Sequence, residues 1–295
     1  EEIESELKMS CEALFKVRNL RIRPELDNKV LADWNGLMVA ALSYASTVFK
    51  EPSWLLAAIN AFTFITRNMA QGTRLKHSYC SGLAKNTDIL DDYAFMIKGA
   101  LFLYQATGIL DYLSHAIIWT ETTEKYFRDA DGAGYFNSPS DAKNLIVRTR
   151  TIFDNATPSG NGVMAENLAR LYYLTGDSKY RKRADILITS LLAKAPGQEA
   201  NMPSITAGFE ILERGIQVII IANKTEANDL FNAALSIGDP NIIIMRLSLN
   251  SELASTHPAY GKIQINKDPT AYVCRGQTCG LPHTKTTNLL ADLAN

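Results

Sequence analysis

Trp34-Asn35-Gly36-Leu37-Met38, Asp92-Tyr93-Ala94-Phe95-Met96 and Ser159-Gly160-Asn161-Gly162-Val163-Met164 are three versions of one design. Each opens a long apolar helix, and each is followed by a second, amphipathic helix. Aligning the second helices on Trp54, Tyr112 and Tyr180 gives spacings of 58 and 68 residues and places alanine four positions later in all three, at Ala58, Ala116 and Ala184. Such a period marks stacked helical hairpins, because one hairpin cannot bury its own apolar face. The first helices are rich in small residues: Gly36, Ala40, Ala41 and Ala45 in the first, Ala94, Gly99 and Ala100 in the second. Small residues let helices approach closely, which fits an inner ring of first helices with the second helices outside. Polar and acidic residues collect just before each inner helix.

Outward from the repeats, residues 1–18 suit a helix with Ile3, Leu7, Cys11, Leu14 and Phe15 on one face, and residues 19–33 are irregular. Residues 70–88 and 128–157 read as connections, the second with a turn at Asp131-Gly132 and a strand-like run over 145–152 whose Arg148 and Arg150 alternate on a solvated face. The third hairpin closes at Pro196-Gly197. After Glu213 the pattern changes. Gln217–Ala222 and Asn241–Leu247 read as strands around a helix over 225–237 capped by Thr225, followed by a strand at Ala271–Cys274 and a helix over 285–294. The expected fold is therefore mainly α: three helical hairpins of an α/α toroid over residues 1–213, then a small α/β unit over 214–295.

Composition narrows the function. The chain of 295 residues has a formal net charge of −1 and 46% hydrophobic residues, so nothing points to nucleic acid or an anionic membrane surface. No run of 18 uncharged apolar residues is present, which argues against a spanning helix. The acidic start of the chain does not read as a signal peptide. The 4 cysteines do not make a disulfide scaffold, and a reducing, cytoplasmic setting is the default expectation. Cys11 and Cys80 read as buried thiols. Cys274-x4-Cys279-x3-His283 is too loose for a metal set, and the two cysteines form at most a redox pair. Asp129-x-Asp131-Gly132-x-Gly134 lacks the ligand register of a calcium loop and reads as a turn. No cofactor or metal is expected, and no glycine-rich phosphate loop follows the first long strand.

Five motifs run in order along nearly the whole chain: Arg23-Pro24-x-Leu26-Asp27-Asn28-Lys29-Val30-Leu31-x-x-Trp34-Asn35-Gly36-Leu37-Met38, Leu90-Asp91-Asp92-Tyr93-Ala94, Asp131-Gly132-x-Gly134-Tyr135-Phe136, Ala156-Thr157-Pro158-Ser159-Gly160-Asn161 and Thr270-Ala271-Tyr272-Val273-Cys274. Together they resemble the YyaL family, bacterial relatives of the mammalian spermatogenesis-associated thioredoxin-like protein. The resemblance implies the C-terminal part of a six-hairpin toroid of the glycosidase and sugar 2-epimerase type. The family's thioredoxin-like domain has no counterpart here, and no Cys-x-x-Cys occurs. It further implies that an open half-ring is covered by a thioredoxin-like domain or partner, or by self-association.

The candidate chemistry is acid/base work on a small carbohydrate, glycosidase-like or 2-epimerase-like, with a non-catalytic binding or scaffold module as the other reading. Asp91 or Asp92 would act as acid, because adjacent carboxylates repel and one holds its proton. Asp33 or Asp154 would act as base, since an inverting pair stands about 6.5–9.5 Å apart. Trp34 offers an aromatic face for a sugar, beside Asn35. Tyr93, Ser159 and Asn161 complete the expected binding residues. Each acidic residue could instead cap its helix. Of the histidines only His77, in the loop between hairpins, is placed to serve as an epimerase acid or base.

Overall fold

A computed structural model describes residues 2–85, 87–130, 134–143, 145–222, 228–248, 253–276 and 278–294. In chain order the elements are α1 (Glu2–Asn19), β1 (Val30–Leu31), α2 (Ala32–Val48), α3 (Pro52–Asn68), β2 (Ala70–Gln71), β3 (Arg74–Leu75), β4 (Ser78–Cys80), β5 (Leu83–Lys85), α4 (Leu90–Thr107), α5 (Leu110–Tyr126), α6 (Gly160–Thr175), α7 (Ser178–Lys194), α8 (Pro203–Arg214), β6 (Ile216–Ile221), α9 (Asn228–Ser236), β7 (Ile242–Leu247), β8 (Thr270–Arg275), β9 (Thr278–Cys279) and α10 (Thr286–Leu293).

The hairpins are α2–α3, α4–α5 and α6–α7. Successive inner helices α2, α4, α6 and α8 pack side by side, and α3, α5 and α7 lie outside them. Ala58, Ala116 and Ala184 are all fully buried, so the aligned alanines are the points where the outer helices meet the inner layer. Close approach between inner helices depends on glycine. A Cβ on Gly36 would lie 2.5 Å from the Phe95 carbonyl carbon, and one on Gly99 would lie 3.0 Å from the Gly36 carbonyl oxygen. The arc is densest at its middle: in α6 only Tyr172 and Thr175 are not buried. At its start, α1 buries none of its residues.

α8 extends the arc beyond the three expected hairpins. It packs on α6 in the place of a fourth inner helix, but the chain then enters β6 in place of a fourth outer helix. The expected β-α-β unit forms, with β6 parallel to β7; β8 adds antiparallel to β6, giving the sheet order β7-β6-β8-β9. One face of this sheet, including Ile219, Ile221, Ile243 and Met245, joins the helical core, whereas Val218, Ile220 and Ile244 pack with α9 and α10. No helix among the described residues is long and apolar enough to cross a membrane.

Several expectations need correction. Residues 70–88 are not a plain loop: β2 pairs with β3, and β4 pairs with both β1 and β5. Residues 145–152 form no strand, because their polar groups bond to side chains and loops instead of to a ladder. Arg148 and Arg150 do not line a solvated face: both guanidinium groups lie over the Phe136 ring, Arg148 donates to the Ser138 and Tyr126 carbonyls, and Arg150 pairs with Asp129. Cys11 is exposed because α1 has nothing to pack on, and Cys80 is half-buried beside Asn28. Cys274 and Cys279 sit opposite each other on β8 and β9 and are joined by a disulfide, so their sulfurs are not available to a metal. Asp131-Gly132 and Thr225 lie outside the described residues.

Candidate functional site

The site forms where the loop after α3 folds back over the N-terminal ends of α2 and α4. β4 runs antiparallel to β1 with Ser78 opposite Leu31, and the next amide, Ala32 N–H, donates to the His77 carbonyl at 2.9 Å. That register fixes His77 beside the first turn of α2, and its Nδ1 hydrogen-bonds Asp92 Oδ1 at 2.9 Å in the first turn of α4. A carboxylate oxygen of Asp33, one of Asp92 and a ring nitrogen of His77 all lie within 4.8 Å of one another. The repeat spacing that aligned the hairpins carries Asp33 onto Asp91 and then onto Ser159, so the first two inner helices present a carboxylate at the same position.

The carboxylates differ in what holds them. Asp92 is fully buried; its Oδ2 accepts from Ile89 N–H at 2.9 Å while Oδ1 meets His77. Burial keeps its carboxyl above the usual range despite His77. In turn the hydrogen bond with Asp92 raises the His77 imidazole, so the pair shares a proton more readily than either group alone. Asp33 is raised by burial, opposed by the Trp34 N–H that donates to it at 2.7 Å and by His77. Asp91 is pushed up to about 6 by burial and then by the negative charges of Asp33 and Asp92, against a hydrogen bond from the Gly160 amide. Gly160 is needed for that approach: a Cβ there would collide with Asp91 Oδ1.

Beside this cluster, Trp34, Asn35 and His77 line a cavity of about 480 Å³ whose rim carries Asp27 and Lys29. Trp34 is 62% exposed, which rules out a core role. Asn35 Nδ2 donates back to the Leu31 carbonyl at 2.8 Å and leaves its carbonyl oxygen for a ligand.

The remaining expected site residues are engaged elsewhere. Tyr93 is fully buried; its hydroxyl donates to Asp88 and accepts from Leu75 N–H at 3.0 Å. Asp88 itself takes two hydrogen bonds from Arg74, which also binds Asp141. Asn161 is fully buried and clamps the preceding connection, accepting from Tyr135 N–H and donating to the Tyr135 and Thr151 carbonyls. Ser159 caps α6 by accepting from Gly162 N–H at 3.1 Å. Asp154 accepts from Ser159 N–H at 2.7 Å and from both the amide and the hydroxyl of Ser204, at 2.7 and 2.6 Å. It joins the start of α6 to the start of α8. These residues stabilise the mouth of the arc; in the sequence Tyr93, Ser159 and Asn161 read as binding residues and Asp154 as a base, because a helix-capping residue and a ligand-facing one look alike there.

His77, the one histidine the sequence places for an acid or base role, joins Asp33 and Asp92 in the cluster. Its signal lay in the neighbours: a polar His-Ser-Tyr run that could pair with Val30-Leu31. Asp33, His77 and Asp92 are also the residues that could hold a metal ion among those described. However, His77 Nδ1 and both Asp92 oxygens already have partners, which makes the cluster better suited to protons.

The fold is that of an α/α toroid, as seen in solved glycosidases and sugar epimerases. An alpha-mannanase of glycoside hydrolase family 76 from Bacteroides thetaiotaomicron superposes with a TM-score of 0.52 at 18% identity, over 74% of this chain and 62% of the enzyme. Cellobiose 2-epimerase from Bacillus thermoamylovorans gives 0.51 at 14% identity, over 74% and 59%. At such identities the likeness is one of fold. No protein-family model matches the chain.

In sequence the chain is similar to human spermatogenesis-associated protein 20, with 30% identity across 96% of its own length. An uncharacterised protein of Caenorhabditis elegans is 23% identical over 95% of the chain. The chain spans 38% of the human protein and 40% of the nematode one.

Proposed function

We propose that the N-terminal mouth of the inner helices carries out acid/base chemistry on a sugar. The observation that carries the reading is Asp91: a carboxyl raised to about 6, beside Asp33 and the His77–Asp92 pair. An acid with that pKa is partly protonated near neutrality and serves as a proton donor to a departing or ring oxygen. Asp33, whose charged form the Trp34 amide and His77 favour against the larger effect of burial, takes the complementary role of base. Asp92 does not reach solvent, so its part is to orient His77 and keep it charged. Trp34 stacks on the sugar while Asn35 hydrogen-bonds it. The nearest oxygens of Asp33 and Asp92 are within 4.8 Å, closer than an inverting pair with water between them requires, which favours Asp33 with Asp91 as the working couple.

The test is turnover of reducing and non-reducing mannose- and glucose-type oligosaccharides by the protein. Product formation that falls at least about a hundredfold in Asp91→Asn, with unchanged folding, supports the reading. Unaltered turnover in both Asp91→Asn and Asp33→Asn removes it.

One observation favours a second reading, a scaffold that works with another polypeptide. α1 is amphipathic yet Ile3, Leu7 and Leu14 are 73, 60 and 71% exposed. By its order before a long connection and an inner helix, α1 stands where an outer helix would. A thioredoxin-like domain, further hairpins of the same ring or a second copy would cover it. Loss of co-purification after Leu7→Asp and Leu14→Asp, with sugar turnover absent throughout, would favour the scaffold.

A further inference from the structure

Below the carboxylates the inner helices line a second cavity. Seven and eleven residues after the aligned Asp33, Asp91 and Ser159 come Ala40, Lys98 and Glu166, then Tyr44, Phe102 and Arg170. At 1.5 Å per residue these sets lie about 10 and 16 Å further along the helices. All of them but Ala40 line a space of about 490 Å³ bounded from below by Phe231 of α9, Pro240 of the connection after it and the start of β7. The volume is that of an ordinary small-molecule site, and its place between two packed layers is where such sites form.

Its walls are aromatic and its charges are buried. Tyr44 packs edge-on to Phe102 at 6.0 Å, and the Arg170 guanidinium lies 4.8 Å from the Phe102 ring centre. Arg170 is 3% exposed and Glu166 5%. Glu166 accepts from Lys98 Nζ at 2.7 Å and from Arg170 Nε at 2.9 Å, and these two cations hold its carboxyl below the usual range despite burial. Two cations thus share one carboxylate. Arg170 Nη2 donates to the Pro240 carbonyl at 3.1 Å, and the Gln105 carbonyl oxygen accepts from Ile244 N–H at 3.0 Å. The donors left by those bonds are ammonium protons of Lys98, the second guanidinium nitrogen of Arg170 and the amide of Gln105. All three belong to residues on the cavity wall, where apolar side chains supply most of the rest.

We propose that this cavity is a separate binding site for a small organic anion: a carboxylate or phosphate set between Lys98, Arg170 and Gln105, with an apolar or aromatic body against Tyr44, Phe102 and Phe231. The wall carries two further carboxylates, but Glu210 is exposed and Asp239 accepts from Asn241 N–H, so the buried group of Lys98, Arg170 and Glu166 keeps one positive charge over, which favours an anion. The aromatic walls favour a compact, partly apolar body over a free inorganic ion. The proposal does not depend on the sugar chemistry at the mouth.

The experiment is calorimetric titration of the full chain with benzoate, phenyl phosphate, inorganic phosphate and the uncharged benzyl alcohol. Lys98→Met removes one cation and leaves Glu166 paired with Arg170, while Ala207→Trp fills the cavity from α8. Asp91→Asn serves as the control at the mouth. Binding of benzoate or phenyl phosphate at least tenfold tighter than benzyl alcohol, lost in Ala207→Trp and weakened at least fivefold in Lys98→Met, is the expected result. Asp91→Asn should leave it unchanged. If Ala207→Trp melts like the parent and still binds as tightly, the site is elsewhere and the proposal fails. Equal affinity for benzyl alcohol and the two anions overturns the charge assignment. Inorganic phosphate binding as tightly as phenyl phosphate overturns the role of the aromatic wall. Where Ala207→Trp does not fold, Phe231→Trp with the same titrations decides.

Discussion

The starts of α4 and α6 are equivalent positions in the repeat, and both are crowded with acidic and polar side chains. At α6, Asp154 gives its two oxygens to three donors from Ser159 and Ser204, and Asn161 has three backbone partners. At α4, Asp91, Asp33 and the His77–Asp92 pair lie together with one or two donors to each carboxylate, and burial pushes Asp91 up to about 6. A carboxylate surrounded by donors is a structural clamp. One that is buried beside its own kind keeps its proton to higher pH. The two mouths share a sequence style and differ in how completely their charges are answered.

The largest separation between them should appear in activity. Asp91→Asn is expected to lower sugar turnover by about 10²–10⁴-fold, the usual span for a general acid, without lowering the melting temperature. In contrast, Asp154→Ala should act on stability. It strips three hydrogen bonds from a charged acceptor and should cost about 2–4 kcal/mol in a denaturant titration, exceeding the effect of Asp91→Ala. A reversed order would mean the two mouths have been assigned the wrong way round.

The same comparison sets a pH dependence. Raised carboxyls such as Asp91 bind protons more tightly folded than unfolded, so their contribution is fully present below the unfolded value of 3.8 and declines as pH rises through about 6. His77, also raised, retains its contribution at pH 6.5 and loses it above. Stability should therefore fall as pH rises from about 4 through 6, and further above 6.5, by about 1–3 kcal/mol given the coupling among the groups. Asp91→Asn should flatten the lower part of that slope; an unchanged slope would separate the decline from Asp91. The smallest effect belongs to Trp34, which is 62% exposed. Trp34→Ala should move stability by less than about 0.5 kcal/mol. A raised KM for sugar with little change in kcat is the outcome that keeps it as a stacking platform.

The repeat was readable because its period sits in residues that packing constrains most: Ala58, Ala116 and Ala184 at the outer contacts, Gly36 and Gly99 at the inner one. α8 was harder to see, since a helix of 12 residues with no outer partner lacks the paired pattern of the other hairpins. Asp33, Asp91 and Asp92 were readable as a cluster because adjacency in the chain and repeat spacing bring them together. His77 depended on a two-residue strand, β1, pairing across a long loop, and a pairing that short leaves almost no periodic trace. Tyr93 and Asn161 read as binding residues and Asp154 as a base because their partners, Asp88 with Leu75, Tyr135 with Thr151, and Ser204, come from other connections. Those partners are set by tertiary structure alone.

The proton on Asp91 is the point on which the account turns, and carboxyl-carbon NMR titration of the chain measures it directly. The account predicts a resonance titrating at about 6 that is assigned by its disappearance in Asp91→Asn and moves toward lower pH in Asp33→Asn. An Asp91 resonance titrating at about 4, the value of an ordinary aspartate, and indifferent to Asp33→Asn would contradict it.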